Sequence, residues 1–106
     1  MNILIDECLP RYLKIALSDF SRQTVQEAGW SSVKNGPLLN LAEAAFDVFL
    51  TADQNLQYQQ NLKCRKIAII VLPSSRLPVV KKYESELKQI ISKIKPGDFI
   101  ELKDLS

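Results

Sequence analysis

The most informative segment of the chain is Phe46-Asp47-Val48-Phe49-Leu50-Thr51-Ala52-Asp53. Its apolar part is too short for a buried helix and is stopped by polar residues, which is typical of an interior strand. Asp53 then stands at the carboxyl end of that strand. The beginning of the chain repeats the pattern, because residues 2–5 run directly into Asp6-Glu7 and Leu9-Pro10 leads into a predicted helix. Two strands therefore deliver carboxylates at the same kind of position.

The rest of the chain alternates between helix-like and strand-like segments. Apolar residues spaced three or four apart predict helices, and short apolar or alternating runs predict strands. The further predicted elements are a helix over about residues 10–18, an edge strand over 23–26, a helix with Pro37 at its first position, a buried strand over 67–72, a long amphipathic helix over 77–94 that ends at Pro96-Gly97, and an edge strand over 99–102.

This alternation predicts an α/β domain with a mostly parallel sheet, whose neighbouring strands are joined by right-handed crossovers. The simplest strand order puts the first strand between the second and the third, which brings Glu27, Asp6 and Asp53 to one edge of the sheet. Open α/β sheets bind their ligands at the carboxyl edge. We therefore expect the functional site there.

Length and composition limit the class of protein. The 106 residues fit a single domain, 1–106, with one core. A formal charge of +2 is too small by itself to indicate a nucleic-acid partner. No apolar run approaches the roughly 18 residues of a membrane span, and no basic segment precedes the first apolar residues, so we expect no signal peptide. A soluble cytoplasmic protein without membrane contact is the simplest expectation.

Histidine is absent from the sequence, and this absence excludes several chemistries. Ser-His-Asp and Cys-His catalysis, zinc held by histidine and a histidine general base are all ruled out. The two cysteines, Cys8 and Cys64, match no metal-ligand spacing, and we expect both to be reduced and buried as small apolar residues. Chemistry must therefore come from carboxylates, amides, lysines or a metal held by oxygen.

Carboxylates gathered at one strand edge indicate a cation. Neighbouring carboxylates repel one another, and they stay ionised only if a cation or hydrogen-bond donors offset the charge. Oxygen ligands without imidazole or thiolate select Mg²⁺ or Mn²⁺, which can activate water against a phosphodiester. The alternative is structural: Asp6 caps the helix that begins near Pro10, and Asp53 caps a turn before Leu56, each by accepting backbone N–H bonds.

Two motifs resemble those of a known family. Ile3-Leu4-Ile5-Asp6-Glu7 followed by Leu9-Pro10, and Leu50-Thr51-Ala52-Asp53, resemble the anchor motifs of PIN-domain nucleases, in particular small stand-alone PIN-like proteins related to VapC-type toxins. The resemblance implies a three-layer α/β/α fold with four to five strands, cleavage of RNA that depends on Mg²⁺ or Mn²⁺, and a cognate antitoxin protein. Asp6 matches the family's first acid, and Asp53 matches the acid of its Thr-x-Asp motif.

The chain departs from the family pattern at neutral residues. Asn35 stands about where the family has a further acid, Pro37 where relatives often have Glu, and Asn55 where another Asp is frequent. An amide oxygen can bind a metal but brings no charge, so these changes should weaken Mg²⁺ binding. Glu7 and Glu27 compensate if their side chains turn inward.

Basic residues near the predicted carboxyl edge are candidate contacts for RNA. Arg11, Lys14 and Lys34 can line a path for RNA phosphates, although a solvated helix face is the ordinary role for each one alone. The helix that ends near Ile94 offers a surface for a homodimer or an antitoxin.

Three functions remain open from sequence. The first is a metal-dependent ribonuclease of toxin–antitoxin type, with these predicted metal ligands: Asp6, Asp53, Glu7, Glu27, Asn35 and Asn55. The second is a PIN-like module whose catalysis has lapsed and which binds or regulates. The third is a response-regulator receiver phosphorylated on Asp53, which is disfavoured because Lys95 follows a predicted helix where a receiver has its lysine after a strand.

Overall fold

The computed structural model of the chain describes residues 1–56 and 65–103, with the side chain of Asn35 left outside the description. The described strands are β1 (Asn2–Ile5), β2 (Ser21–Thr24), β3 (Val48–Thr51), β4 (Ala68–Val71) and β5 (Phe99–Glu101). The described helices are α1 (Tyr12–Ala16), α2 (Asn35–Ala45), α3 (Leu77–Lys82) and α4 (Glu84–Lys93).

All five strands are parallel and form one sheet in the order β2-β1-β3-β4-β5. The predicted α/β class and the position of the first strand between the second and the third are confirmed. In the register, Ile5 lies opposite both Thr24 of β2 and Leu50 of β3. The carboxyl ends of three strands therefore come to one edge of the sheet.

The strands bury both faces, because successive side chains point to opposite sides. One face packs with α1, α3 and α4, and its strand residues are Ile3, Ile5, Val48, Leu50, Ala68 and Ile70. The other face packs with α2, and its strand residues are Leu4, Phe49, Ile69 and Val71. β3 and β4 are buried throughout, which explains their unbroken apolar sequences. Helices on both faces make a three-layer α/β/α fold.

Two connections on one face of the sheet have opposite hands. The β1–β2 connection carries α1, and the β4–β5 connection carries α3 and α4, on the same face of the sheet. The two connections move in opposite directions along the strand order. Because the strands are parallel, these crossovers have opposite hands, and the prediction of uniformly right-handed crossovers is wrong for one of them.

The predicted helix over 77–94 is divided at Tyr83. The Tyr83 backbone leaves the helical range, with φ −95° and ψ 3°, and its N–H is shared between the carbonyls of Val79 at 3.3 Å and Val80 at 3.2 Å. Tyr83 is buried, and its hydroxyl donates to the Lys103 carbonyl at 2.9 Å. The apolar spacing continues through the break, so periodicity alone predicts one helix.

Other boundaries shift by a few residues. Pro37 is the third residue of α2, where the missing N–H still costs no helical hydrogen bond. The last helix ends at Lys93, before the predicted stop at Pro96-Gly97. Gly97 has a φ of +84°, and a Cβ there would lie 3.3 Å from the Arg65 carbonyl oxygen. Among the described residues, no helix combines the length and apolar character needed to cross a membrane.

Candidate metal centre at the carboxyl edge

Asp6 begins the turn that follows β1. Its N–H continues the sheet by donating to the Leu50 carbonyl at 2.9 Å, and its own carbonyl accepts the Leu9 N–H at 3.1 Å. Its carboxylate oxygen Oδ1 accepts the Glu7 N–H at 2.8 Å. The backbone and one carboxylate oxygen therefore fix Asp6 at the end of the strand.

Thr51 joins the two acidic strand ends. This residue is fully buried, and its hydroxyl donates to Oδ2 of Asp6 at 2.6 Å. The same Oγ1 accepts the Asp53 N–H at 3.1 Å. One hydroxyl therefore connects Asp6 to the peptide of Asp53. The sequence indicates this role of Thr51 only weakly, as a single hydroxyl residue at the end of an apolar strand.

Asp53 also organises the turn after β3. Its Oδ1 accepts the Asn55 N–H at 3.0 Å, and its carbonyl accepts the N–H of the buried Leu56 at 3.3 Å. The Gln54 side-chain amide donates to the Leu72 carbonyl and so ties this turn to the end of β4. Asp53 therefore has the turn-capping role predicted as the structural alternative.

Asp6 does not cap α1, whose N-cap residue Arg11 makes no side-chain capping bond; its carboxylate accepts the Glu7 N–H and Thr51 hydroxyl bonds at the strand end instead. The bonds to the two acids do not exclude ligand binding, because each carboxylate oxygen has two lone pairs.

Cys8 contacts the same carboxylate, which corrects the expectation that it is buried. The residue is exposed, and its thiol donates to Oδ2 of Asp6 at 3.6 Å. Partial burial of the sulfur, and secondly the charge of Asp6, raise the pKa of the Cys8 thiol. Less thiolate is present at neutral pH, so the thiol is a poor nucleophile. Cys64 lies outside the described residues.

Glu7 turns toward the loop that precedes α2. Its Oε1 accepts the Ser32 N–H at 3.2 Å. Ser32 has a φ of +67°, a left-handed backbone that is unusual for a residue with a side chain. The contact draws the loop before α2 toward the edge that carries Asp6.

Glu27 closes the outer edge of β2. In a parallel strand, successive peptide groups face alternate sides, and Val25 donates inward to Ile5 at 2.9 Å. Thr24 therefore faces outward, where its N–H donates to Oε1 of Glu27 at 2.9 Å and its carbonyl accepts the Ala28 N–H at 3.0 Å. These bonds cover part of an edge that would otherwise offer open pairing groups.

The second oxygen of Glu27 is also engaged. Lys14 forms a hydrogen-bonded ion pair with Oε2, and the Thr24 hydroxyl accepts the Glu27 N–H at 3.1 Å. The Lys14 hydrogen bond, followed by the Thr24 N–H, lowers the pKa of the Glu27 carboxyl. Lys14 and Glu27, predicted as a phosphate contact and a metal ligand, therefore bind each other.

The remaining predicted residues surround the two acids. Asn35 is the first residue of α2, and its side chain lies outside the description. Asn55 is exposed one residue beyond Gln54. Arg11 and Lys34 are exposed and directly precede α1 and α2. Across residues 1–56 and 65–103, no cluster of three or more cysteine or acidic side chains is placed to hold a metal ion.

The receiver hypothesis conflicts with the position of Lys95. This residue follows α4 and precedes β5, so it lies toward the amino edge of the sheet, where it lines a groove with Asp47 and Ala68. Asp6 and Asp53 follow parallel strands and lie at the opposite edge. Lys95 therefore does not share a pocket with Asp53.

Replacing Thr51 by Val tests the connection between the acids. Valine keeps the shape but removes the hydroxyl, so an acceptor for the Asp53 N–H and a donor to Asp6 are both lost at a fully buried side chain. We expect the free energy of unfolding, measured by urea denaturation, to fall by about 1–3 kcal/mol. Thr51→Ser retains the hydroxyl and should lose less. A Thr51→Val protein as stable as the wild type would contradict the connection.

The lowered pKa of Glu27 predicts a pH-dependent contribution to stability. A carboxyl with a lowered pKa stabilises the fold above its ordinary value of about 4.5, and the contribution disappears as the pH falls through the lowered pKa. Glu27→Gln keeps an oxygen for the Thr24 N–H but loses the charge facing Lys14. Denaturation midpoints should therefore be lower for Glu27→Gln at pH 7, with the difference shrinking in acid.

The control for this experiment is Glu86→Gln. Glu86 is exposed on α4 and makes no ion pair within the described part of the chain. Its substitution should leave the pH dependence unchanged. A difference between Glu27→Gln and the wild type that stays constant from pH 7 into acid would show that the charge of Glu27 does not stabilise the edge.

Comparisons with protein-family models, with curated proteins and with solved structures find no match for this chain. The resemblance to PIN-domain nucleases therefore stays a prediction, and function must be argued from the chain's own residues.

Proposed function

We propose that the chain is a ribonuclease dependent on Mg²⁺ or Mn²⁺, PIN-like and of toxin–antitoxin type, with Asp6 and Asp53 as its metal ligands. The observation that supports this most is the pairing of β1 with β3, which brings two acidic strand ends to one edge and joins them through the Thr51 hydroxyl. Two carboxylates at one edge of the sheet are the kind of ligands that a hydrated cation would use.

The donor set fits a weakly held Mg²⁺ or Mn²⁺. Two carboxylates and the neighbouring Asn55 amide are hard oxygen donors, and Mg²⁺ commonly keeps several waters while binding only one or two carboxylates plus substrate phosphates. We expect binding to tighten when RNA supplies further oxygens.

In this proposal Asp6 and Asp53 would hold the cation, which when bound would supply charge stabilisation for the phosphodiester and a more acidic water molecule. The Thr51 hydroxyl and the Glu7 N–H keep the Asp6 carboxylate in one orientation. Arg11 and Lys34 attract the RNA backbone toward the edge. Lys14 contributes less, because Glu27 neutralises it.

The toxin–antitoxin assignment implies partners and a compartment. RNA is the substrate, a cognate antitoxin protein would inhibit the site, a homodimer would form through the α3–α4 side, and the protein would act in the cytoplasm. These remain parts of the proposal.

A second candidate function is a PIN-like binding or regulatory module without catalysis. Two observations favour it: both carboxylates already accept a backbone N–H, and Asn55 is neutral where a further acid would strengthen metal binding. The module would bind RNA or protein without a metal.

Cleavage of a single-stranded RNA in the presence of Mn²⁺ distinguishes the two. We expect Asp6→Asn and Asp53→Asn each to lower the cleavage rate by about a hundredfold or more. Each substitution would remove several kcal/mol of charge stabilisation from the transition state, and about 1.4 kcal/mol corresponds to a tenfold change in rate. Asp19→Asn serves as the matched control and should cleave normally, because Asp19 is exposed and precedes β2, toward the opposite edge of the sheet.

EDTA should abolish cleavage by the wild type and by Asp19→Asn alike. Wild-type protein that binds RNA but never cleaves it with either metal would favour the module. Cleavage that survives both aspartate substitutions would contradict the nuclease site.

A further inference from the structure

A groove lies directly beside the edge of the sheet that carries Asp6 and Asp53. Its volume is about 460 Å³, and its lining residues are Leu9, Pro10, Arg11, Lys14, Ile15, Thr24, Gln26 and Glu27. The volume is within the range of roughly 300–1,000 Å³ that small-ligand sites occupy. Leu9 in its wall donates its N–H to the Asp6 carbonyl at 3.1 Å, so the groove and the acidic edge share one turn of backbone.

We propose that this groove holds one nucleotide of single-stranded RNA next to the phosphodiester that lies at Asp6 and Asp53; this inference rests on the proposed function. The base would lie against Leu9, Pro10 and Ile15, and Arg11 would bind the adjoining phosphate.

The apolar part of the lining provides a surface for a base. Ile15 lies on α1 with 73% of its surface exposed, although it is a large aliphatic residue, while Leu9 beside it is buried. Sites for small ligands are mostly apolar with a few polar groups for orientation. The exposed Gln26 and the partly buried Thr24 supply those polar groups.

The charge of the groove favours a phosphate ligand. Lys14 and Glu27 neutralise each other across one wall. Arg11 is exposed and makes no ion pair within residues 1–56 and 65–103, so it leaves the groove with one uncompensated positive charge. An arginine fork matches phosphate oxygens well.

A single strand fits this lining better than a duplex. An apolar wall gains from covering the face of an unstacked base, whereas the bases of a duplex are already stacked on one another. We therefore expect the contribution of Ile15 to be specific to single strands.

The experiment measures binding of a fluorescein-labelled single-stranded RNA dodecamer by anisotropy, in EDTA so that no RNA is cleaved. Ile15→Asn should weaken binding about tenfold by removing the apolar surface without changing the charge. Arg11→Gln should lower the slope of log affinity against log salt by about 0.7, the value for one phosphate contact to a single strand. Leu41→Asn, at an exposed leucine of α2 outside the groove, is the matched control and should bind like the wild type.

Binding of Ile15→Asn within twofold of the wild type would overturn the proposal, as would an equal loss in Leu41→Asn or an equal effect of Ile15→Asn on a duplex of the same sequence. Failure of the wild type to bind the dodecamer would also overturn the proposal and would favour a different ligand for the groove, such as a peptide.

The cleavage assay separates this inference from the proposed function. If Asp6→Asn and Asp53→Asn leave cleavage unchanged while Ile15→Asn loses binding, the groove stands and the nuclease site fails. If cleavage needs both aspartates while Ile15→Asn binds normally, the nuclease site stands and the groove proposal fails.

Discussion

The two acidic strand ends meet because β1 and β3 pair in parallel, with Ile5 opposite Leu50. Each strand is followed by a turn that needs hydrogen-bond acceptors, and an aspartate supplies them. The buried Thr51 hydroxyl then satisfies Asp6 on one side and the Asp53 peptide on the other. Every further property of the edge depends on this pairing, because a shift of one residue would turn Thr51 to the opposite face of the sheet.

The contacts that stabilise this edge would also favour the proposed cation site. A carboxylate held by two or three donors loses little freedom when it binds a cation, which lowers the entropic cost of binding. The chain uses its other edge acids differently. Glu27 protects the edge strand and neutralises Lys14, and Glu7 holds the loop before α2. The proposed site therefore uses only two of the acidic residues near this edge, and Glu7 and Glu27 have structural contacts instead.

Much of the fold follows from the sequence, because its strongest signals are local. The apolar runs around Phe49 and Ile69 are buried on both faces of a sheet and could be recognised as interior strands. The position of β1 beside β3 followed from simple topology. The break at Tyr83 could not be predicted, since Tyr83 fits the apolar spacing of one long helix and its hydroxyl partner lies 20 residues away.

The site was predictable only in part, since its acids follow strands but their partners are distant in sequence. Asp6 and Thr51 are 45 residues apart, and Lys14 and Glu27 are 13 residues apart. No pattern in the sequence indicates that Lys14 neutralises Glu27, or that the Cys8 thiol lies exposed against Asp6. Such pairs depend on how turns from different strands approach one another at the edge, and only coordinates supply that information.

If the proposal is right, Asp6 and Asp53 together bind a single hydrated cation. Anomalous diffraction from crystals soaked in Mn²⁺ is the decisive measurement, because it locates the ion without assuming which residues bind it. We expect one anomalous peak within coordination distance, about 2.0–2.3 Å, of oxygens from both aspartates. A peak bound to only one of them, or density that leaves this edge without an ion at saturating Mn²⁺, would contradict it.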